Sequence, residues 1–249
     1  MRQFGLIGFS LQHSFSKQFF SDKFKEEKLG DCVYDNFELK TIDDFPKLLK
    51  GHPNLSGLNI TIPYKQSLIK FINSLDNEAN DIGAVNVIRF EKCADGKTIL
   101  TGYNTDHYGF SKSLKEVLPN EPIAALILGV GGGSKAVAYA LKKMNIDFNI
   151  VSRRPQKEEL SFESLTEESV SNHRLIVNTT PLGMFPHIET YPPIPYQYIT
   201  NKHILFDLAY NPAETIFLKK GKEKGATIIN GLKMLQYQAE KSWEIWNKH

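Results

Sequence analysis

The apolar run 123–128 leads directly into Gly129-Val130-Gly131-Gly132-Gly133-Ser134, and a helical stretch, 135–144, follows. This succession of strand, glycine turn and helix restricts the fold more than any other feature of the chain. Glycine permits a tight turn, and its missing Cβ lets backbone N–H groups approach a pyrophosphate at the N-terminus of the next helix. Gly129, Gly131, Gly132, Gly133 and Ser134 are therefore the expected phosphate loop of a Rossmann-like, dinucleotide-binding sheet. The runs 147–152, 175–178, 203–208 and 227–229 supply its further strands.

An NAD-selective sheet of this kind carries an acidic residue about 20 positions beyond the loop, where it accepts hydrogen bonds from the ribose. Ser152-Arg153-Arg154 stands at the end of the next strand instead, with Lys157 close behind. A carboxylate would repel a 2′-phosphate, whereas guanidinium groups bind it bidentately and stack on adenine. NADP is the expected cofactor, with Ser152, Arg153, Arg154 and Lys157 around its adenosine end.

The first third alternates strand-like and helix-like pieces at 3–8, 16–28, 32–38, 42–49, 58–61 and 64–72. That rhythm predicts a parallel, helix-covered sheet. The runs 84–90 and 98–101 flank Asp95-Gly96, a dipeptide favoured in tight turns, so a hairpin is expected to end this half. A helix at 108–118 then leads through Pro119 and Pro122 into the second strand series. The proline-rich stretch 191–195 is expected to be a surface loop, because proline lacks the N–H that a central strand needs. The final stretch, 232–246, is helical in pattern. The expected fold class is α/β with two domains and a crevice between them. An N-terminal substrate-binding and catalytic domain takes 1–106 plus 232–249, and the NADP-binding domain takes 107–231. Hinge closure would bring nicotinamide to the substrate and exclude water.

With 249 residues, 41% hydrophobic and 23% charged, the chain has the composition of an ordinary globular protein. A formal net charge of +2, with lysines and arginines spread along the sequence, gives no basic stripe for nucleic acid. Cys32 and Cys93 lie far apart without metal-ligand spacing, and no histidine cluster suggests a metal. No run approaches the ~20 apolar residues of a membrane span. The expectations are a cytoplasmic protein, a small-molecule substrate, and no nucleic-acid, membrane or metal partner; a homodimer stays open.

Lys65 closes the segment 57–65, and Asp106 closes 102–106. Each stands just past a short apolar strand-like run, where open α/β sheets place their ligands. An ammonium beside a carboxylate can hold and relay a proton. With the cofactor loop downstream, the pair reads as the catalytic centre of an oxidoreductase.

Seven ordered motifs extend this reading. Gly8 is followed by His13-Ser14-Phe15-Ser16. Asn59, Thr61, Pro63 and Lys65 form an NxTxPxK pattern, Gly83-Ala84-Val85-Asn86 a GAVN turn, and Gly102 with Asn104-Thr105-Asp106 a GxNTD turn. The segments 178–184, 207–212 and 231–238 complete the series. Over nearly its whole length the chain resembles the shikimate dehydrogenase family.

By that resemblance, Ser14 and Ser16 hydrogen-bond the carboxylate of shikimate, and Asn59, Thr61, Asn86, Asp106 and Gln238 bind its hydroxyls, as side chains that can donate and accept. Lys65 is the main acid/base group, with Asp106 beside it. Tyr210 lies near substrate, Met234 near the nicotinamide, and Thr179, Gly183 and Gly231 border the cofactor. The implied reaction is the NADP-dependent interconversion of 3-dehydroshikimate and shikimate, on the route to aromatic amino acids. His13 is read as a structural partner in its turn. Departures from the family pattern bear on substrate preference: Ser10 and Lys17 in place of prolines, Tyr103 in place of an acid, and His107 in place of glycine. Three alternatives stay open: a quinate/shikimate dehydrogenase of broader substrate or NAD specificity, a catalytically silent NADP-binding regulator, and a folate-linked dehydrogenase, which the serine pair and Gln238 disfavour.

Overall fold

The structure is a computed structural model that describes residues 1–12 and 14–248. His13, read above as a turn partner, lies outside the described residues. The chain divides into two compact units, Met1–Thr105 with Ala239–His249, and Asp106–Gln238. The second dividing point falls inside the last helix rather than at its start.

The first unit contains β1 (Arg2–Gly8), α1 (Phe15–Glu26), β2 (Cys32–Glu38), α2 (Phe45–Gly51), β3 (Leu55–Ile60), β4 (Ser74–Leu75), α3 (Asn77–Ile82), β5 (Val87–Lys92) and β6 (Thr98–Tyr103). Its strands form one sheet in the order β2-β1-β3-β5-β6-β4. β1 is parallel to β2 and β3, but β5 is antiparallel to β3 and β6. β5 and β6 are the hairpin expected to end this half, and the antiparallel pairing of β5 with β3 makes the sheet mixed rather than parallel throughout. The Asp95-Gly96 turn, with Gly96 at φ 80, is too short for the crossover that parallel neighbours require, so β6 must fold back along β5. The helix expected at 64–72 shrinks to a single 3₁₀ segment, Ser67–Phe71. The Lys65 carbonyl accepts from the Val85 N–H at 2.7 Å and is thereby drawn out of a helical ladder.

Strand alternation divides the apolar residues between two cores. Ile7, Phe37, Leu58 and Ile60 face one side with Phe45 and Leu68. Phe4, Leu6 and Tyr34 face the other with Phe20, Phe24 and Trp246. Gly57 leaves room on this second side for the Trp246 ring, whose Nε1 donates to the Ile88 carbonyl at 3.0 Å.

The second unit begins with α4 (Asp106–Lys115). It continues through β7 (Ala125–Leu128), α5 (Gly132–Lys143), β8 (Phe148–Ser152), β9 (Leu160–Ser161), α6 (Glu167–Asn172), β10 (Leu175–Asn178), β11 (Ile204–Asp207), α7 (Ile216–Glu223) and β12 (Thr227–Ile229). All six strands are parallel, in the order β12-β11-β10-β7-β8-β9. The chain builds outward from β7 to β9, then returns to the other side of β7 at β10. The crevice at such a reversal of strand order is where open α/β sheets bind ligands. Both faces are covered, with Leu126, Leu128 and Ile176 on one and Ala125, Ile127 and Val177 on the other. The stretch 191–195 has no regular structure, yet Ile194 plugs the first of these cores. The last helix, α8 (Leu232–Trp246), contributes to both units. Among the described residues no helix is long and apolar enough to cross a membrane.

Candidate active site

In the first unit the sequence motifs converge on one end of the sheet. β1 and β3 are parallel, so their C-terminal ends, Gly8 and Ile60, lie on the same side. β5 starts there, with Val87 paired to both Asn59 and Tyr103, and β6 ends there. The segments bearing Ser14 and Ser16, then Thr61 and Lys65, then Asn86, and finally Asn104 and Thr105 all leave or enter the sheet at that end.

Most of these side chains are already engaged with one another. Asn59, 4% exposed, accepts from the Tyr34 hydroxyl at 2.8 Å and donates to Ser242 Oγ at 3.0 Å. Asn86, 2% exposed, accepts from the Thr105 N–H at 2.7 Å and donates to Thr105 Oγ1 at 3.0 Å. Asn104 donates to the Ala84 carbonyl at 2.9 Å and so closes the GAVN turn. The Ser14 hydroxyl caps α1 by accepting from the Ser16 N–H at 3.2 Å. Ser16, itself buried, hydrogen-bonds the Tyr34 hydroxyl. Burial pushes the Tyr34 hydroxyl well above its ordinary range, against the lowering effect of Ser16, so it stays a neutral donor. Tyr34 and Ser242 are network members that the sequence reading missed, because each acts through another side chain. Thr61 differs: its N–H donates to the Ile7 carbonyl at 2.9 Å, while its hydroxyl has no partner among the described residues. Lys65 is partly buried.

In the second unit, Asp106 opens α4 and is buried, as is Gln238 on α8; Tyr210 is partly buried just beyond β11. The glycine segment forms the turn between β7 and α5. Gly129 has φ +109, and a Cβ there would lie 2.9 Å from Thr179 Oγ1, so glycine is required on both conformational and steric grounds. Thr179 spends its hydroxyl on the Leu128 carbonyl at 2.7 Å, supporting the turn from beneath. At Gly131 a Cβ would meet no protein atom within 4 Å, and this residue precedes α5 without any side-chain cap. The first N–H groups of α5 thus have no capping side chain among the described residues, and the position of a Gly131 side chain is open. Gly132 and Gly133 continue the turn into the helix, and Ser134 is buried. This cradle, at the strand reversal between β7 and β10, fits the phosphates of a dinucleotide.

The remaining expected cofactor residues fall into two groups. Arg153, Arg154 and Lys157 are exposed beyond β8, and Ser152, buried at its end, donates to Glu159 Oε2 at 3.0 Å. Gly183, Gly231 and Met234 have structural duties of their own. Gly183 turns at φ +86 and donates its N–H to Thr190 Oγ1 at 2.9 Å. A Cβ on Gly231 would lie 2.1 Å from the Leu208 carbonyl oxygen, and Met234 packs with Phe110 and Phe206.

Asp207, which ends β11 and opens the motif 207–212, is a hub that no local sequence pattern marks. It is fully buried and accepts from Thr215 Oγ1 at 2.6 Å, the Ala209 N–H at 3.0 Å and Asn178 Nδ2 at 3.1 Å. Burial pushes its carboxyl up to about 6, and the three hydrogen bonds oppose the rise. Asn178 also binds Thr180, so one carboxyl links the turns that follow β10 and β11.

A sequence model described as the shikimate dehydrogenase substrate binding domain matches residues 6–88. A shikimate dehydrogenase (NADP(+)) of Methanococcus maripaludis is 40% identical, with the alignment covering 97% of this chain and 90% of the relative. The chain belongs to the shikimate dehydrogenase family. Solved structures agree along the whole chain. Shikimate dehydrogenase from Aquifex aeolicus superimposes with a TM-score of 0.87 at 35% identity, covering 99% of this chain and 92% of the other. The enzyme from Thermus thermophilus, solved in complex with NADP(H) and shikimate, gives 0.86 at 28% identity, covering 99% and 94%. The span matched by the shikimate dehydrogenase substrate-domain model contains Ser14, Ser16, Asn59, Thr61, Lys65 and Asn86.

Proposed function

We propose that the protein interconverts 3-dehydroshikimate and shikimate with NADP, as a step toward aromatic amino acids, and that Lys65 and Asp106 are its reacting pair. The observation that carries the reading is the gathering of Ser14, Ser16, Asn59, Thr61, Lys65 and Asn86 at one end of the first sheet. A small acid bearing several alcohols needs donors and acceptors held in fixed relation, and this set supplies hydroxyls, amides and one amine.

Ser14 and Ser16 bind the substrate carboxylate without adding formal charge. Asn59, Thr61, Asn86 and Gln238 hold the ring hydroxyls, and Tyr210 borders the ring. In the oxidative direction the reacting carbon gives up a hydride and its hydroxyl gives up a proton; the Lys65 and Asp106 pair takes the proton and steadies the developing negative oxygen. In the reductive direction the pair returns it. NADP, when bound, supplies the hydride acceptor. The glycine turn holds its phosphates, Arg153, Arg154 and Lys157 hold its 2′-phosphate, and Thr179, Gly183, Gly231 and Met234 line its path.

An absorbance assay of nicotinamide reduction tests this directly, with shikimate and quinate each run against NADP and NAD. The expected result is turnover of shikimate with NADP well above the other three combinations. Equal or greater turnover with NAD would contradict the role given to the two arginines, and no turnover with either acid would contradict the enzyme.

A further inference from the structure

The loop 153–158 leaves β8 and returns as β9, and all six of its residues are exposed. Arg153, Arg154 and Lys157 have no hydrogen-bond or ion-pair partner among the described residues. Three like charges on so short a loop repel one another, and an unrestrained loop would splay them.

The restraint lies at the base. Ser152 Oγ and the Gln156 N–H both donate to Glu159 Oε2, each at 3.0 Å. The Glu159 N–H donates in return to the Gln156 carbonyl at 3.0 Å. β8 and β9 close the neck by pairing Val151 with Leu160 and Ser152 with Ser161. Next to Glu159, Glu158 is held at φ 76, a left-handed conformation that a non-glycine residue keeps only where its surroundings over-determine it. One carboxylate oxygen thus ties the strand end to the middle of the cationic loop.

We propose that Glu159 is a positioning residue for cofactor specificity: its carboxylate, gripped by Ser152 and Gln156, fixes the loop that presents Arg153, Arg154 and Lys157 to the 2′-phosphate of NADP. The inference rests on the NADP reading above. Glu159 does not touch the phosphate; it sets the geometry of the groups that do. Its loss weakens phosphate-bearing cofactors and spares those without the phosphate.

Glu159→Ala and Glu159→Gln separate this from simple structural support. KM for NADP and for NAD is measured at saturating shikimate, and binding of 2′,5′-ADP and 5′-AMP to the intact protein is measured by calorimetry. Glu159→Ala is expected to raise KM for NADP about tenfold, the scale of one charge-assisted hydrogen bond. Binding of 2′,5′-ADP should weaken in parallel, with kcat, KM for NAD and 5′-AMP binding unchanged. Glu159→Gln keeps an acceptor oxygen without the charge and should recover most of what the alanine variant loses. An unchanged KM for NADP in the alanine variant, equal losses for both cofactors, or a glutamine variant as impaired as alanine would each overturn the proposal. A larger loss for NAD would instead make Glu159 a ribose acceptor. Should the alanine variant fail to fold, Glu159→Asp, which keeps the charge and shortens the reach, carries the same comparison. A parent protein that prefers NAD fails the cofactor reading before any variant is made, and the 2′,5′-ADP titration still tests the clamp by itself.

Discussion

In the first unit the candidate amides are buried and bonded into the fold, Asn59 to Tyr34 and Ser242 and Asn86 to Thr105. In the second, the candidate cofactor groups are helix N–H groups left without a capping side chain after Gly131 and cations exposed beyond β8. The two arrangements suit different ligands. A ring with several alcohols is told from its isomers by direction, which requires side chains locked before the ligand arrives. A polyanion needs charge and backbone donors, and the sheet already fixes the backbone. Binding and folding should therefore be entangled in the first unit and separable in the second.

Lys65, partly buried where the neighbouring amides are buried, gives the largest expected effect and is an exception within the first unit. Lys65→Ala should lower kcat by about 10²–10⁴-fold, the range of a lost acid/base group. Retained turnover would remove it from the reaction.

Asp207 is the reverse exception, a buried hub inside the second unit. Its carboxyl, ordinarily near 3.8, is raised to about 6 in the folded protein. The folded state therefore binds this proton more tightly than the unfolded chain. The stability it contributes is fully present below about 3.8 and is lost as pH rises through about 6. A carboxamide does not ionise in this range, so Asp207→Asn should remove that dependence. Taken from about pH 7 down to about pH 4, the unfolding free energy of the parent should gain about 2–3 kcal/mol on that of the variant. A constant difference across that range would mean the carboxyl is not desolvated as its burial implies.

The double substitution Arg153→Ala with Arg154→Ala tests the second unit in its simplest form. KM for NADP should rise by about tenfold or more, from lost charge-assisted bonds to phosphate, while KM for NAD and the unfolding midpoint stay put. A fall in stability would show that exposed cations in this unit also hold the fold together.

The same division governs what the sequence discloses. The glycine turn, β7 and the strands after it are readable because a parallel sheet covered on both faces needs continuous apolar runs, and a phosphate turn needs glycine. Motif residues at the strand ends are readable by family resemblance. The antiparallel course of β5 is harder to see, since strand composition does not report direction; only the Asp95-Gly96 turn does. β4 and β9, of two residues each, are too short for any periodicity. α3 and α7 carry helix-start signals in Asp76 and Thr215, whose side chains accept from the N–H groups of Ala79 and Leu218, but their apolar faces are short. Tyr34, Ser242 and Glu159 escape notice for a different reason. Each is identified by the residue it touches, 25, 183 and 7 positions away respectively, and no local pattern encodes that.

Tyr34→Phe should have the smallest effect and bears most directly on the contrast between the units. The ring stacks on Phe20 with centroids 4.6 Å apart and planes 12° apart, and phenylalanine keeps that contact. Only the hydroxyl is lost, leaving Asn59 Oδ1 without its donor at 2.8 Å and Ser16 without its partner. A buried acceptor stripped of its donor costs about 1 kcal/mol, which for a chain of this size lowers Tm by about 2–4 °C. Because Asn59 keeps its bond to Ser242, KM for shikimate should move much less than stability does. If thermal unfolding is unchanged while KM for shikimate climbs tenfold, the polar groups at that sheet end hold their ligand rather than one another, and the distinction between the two units fails.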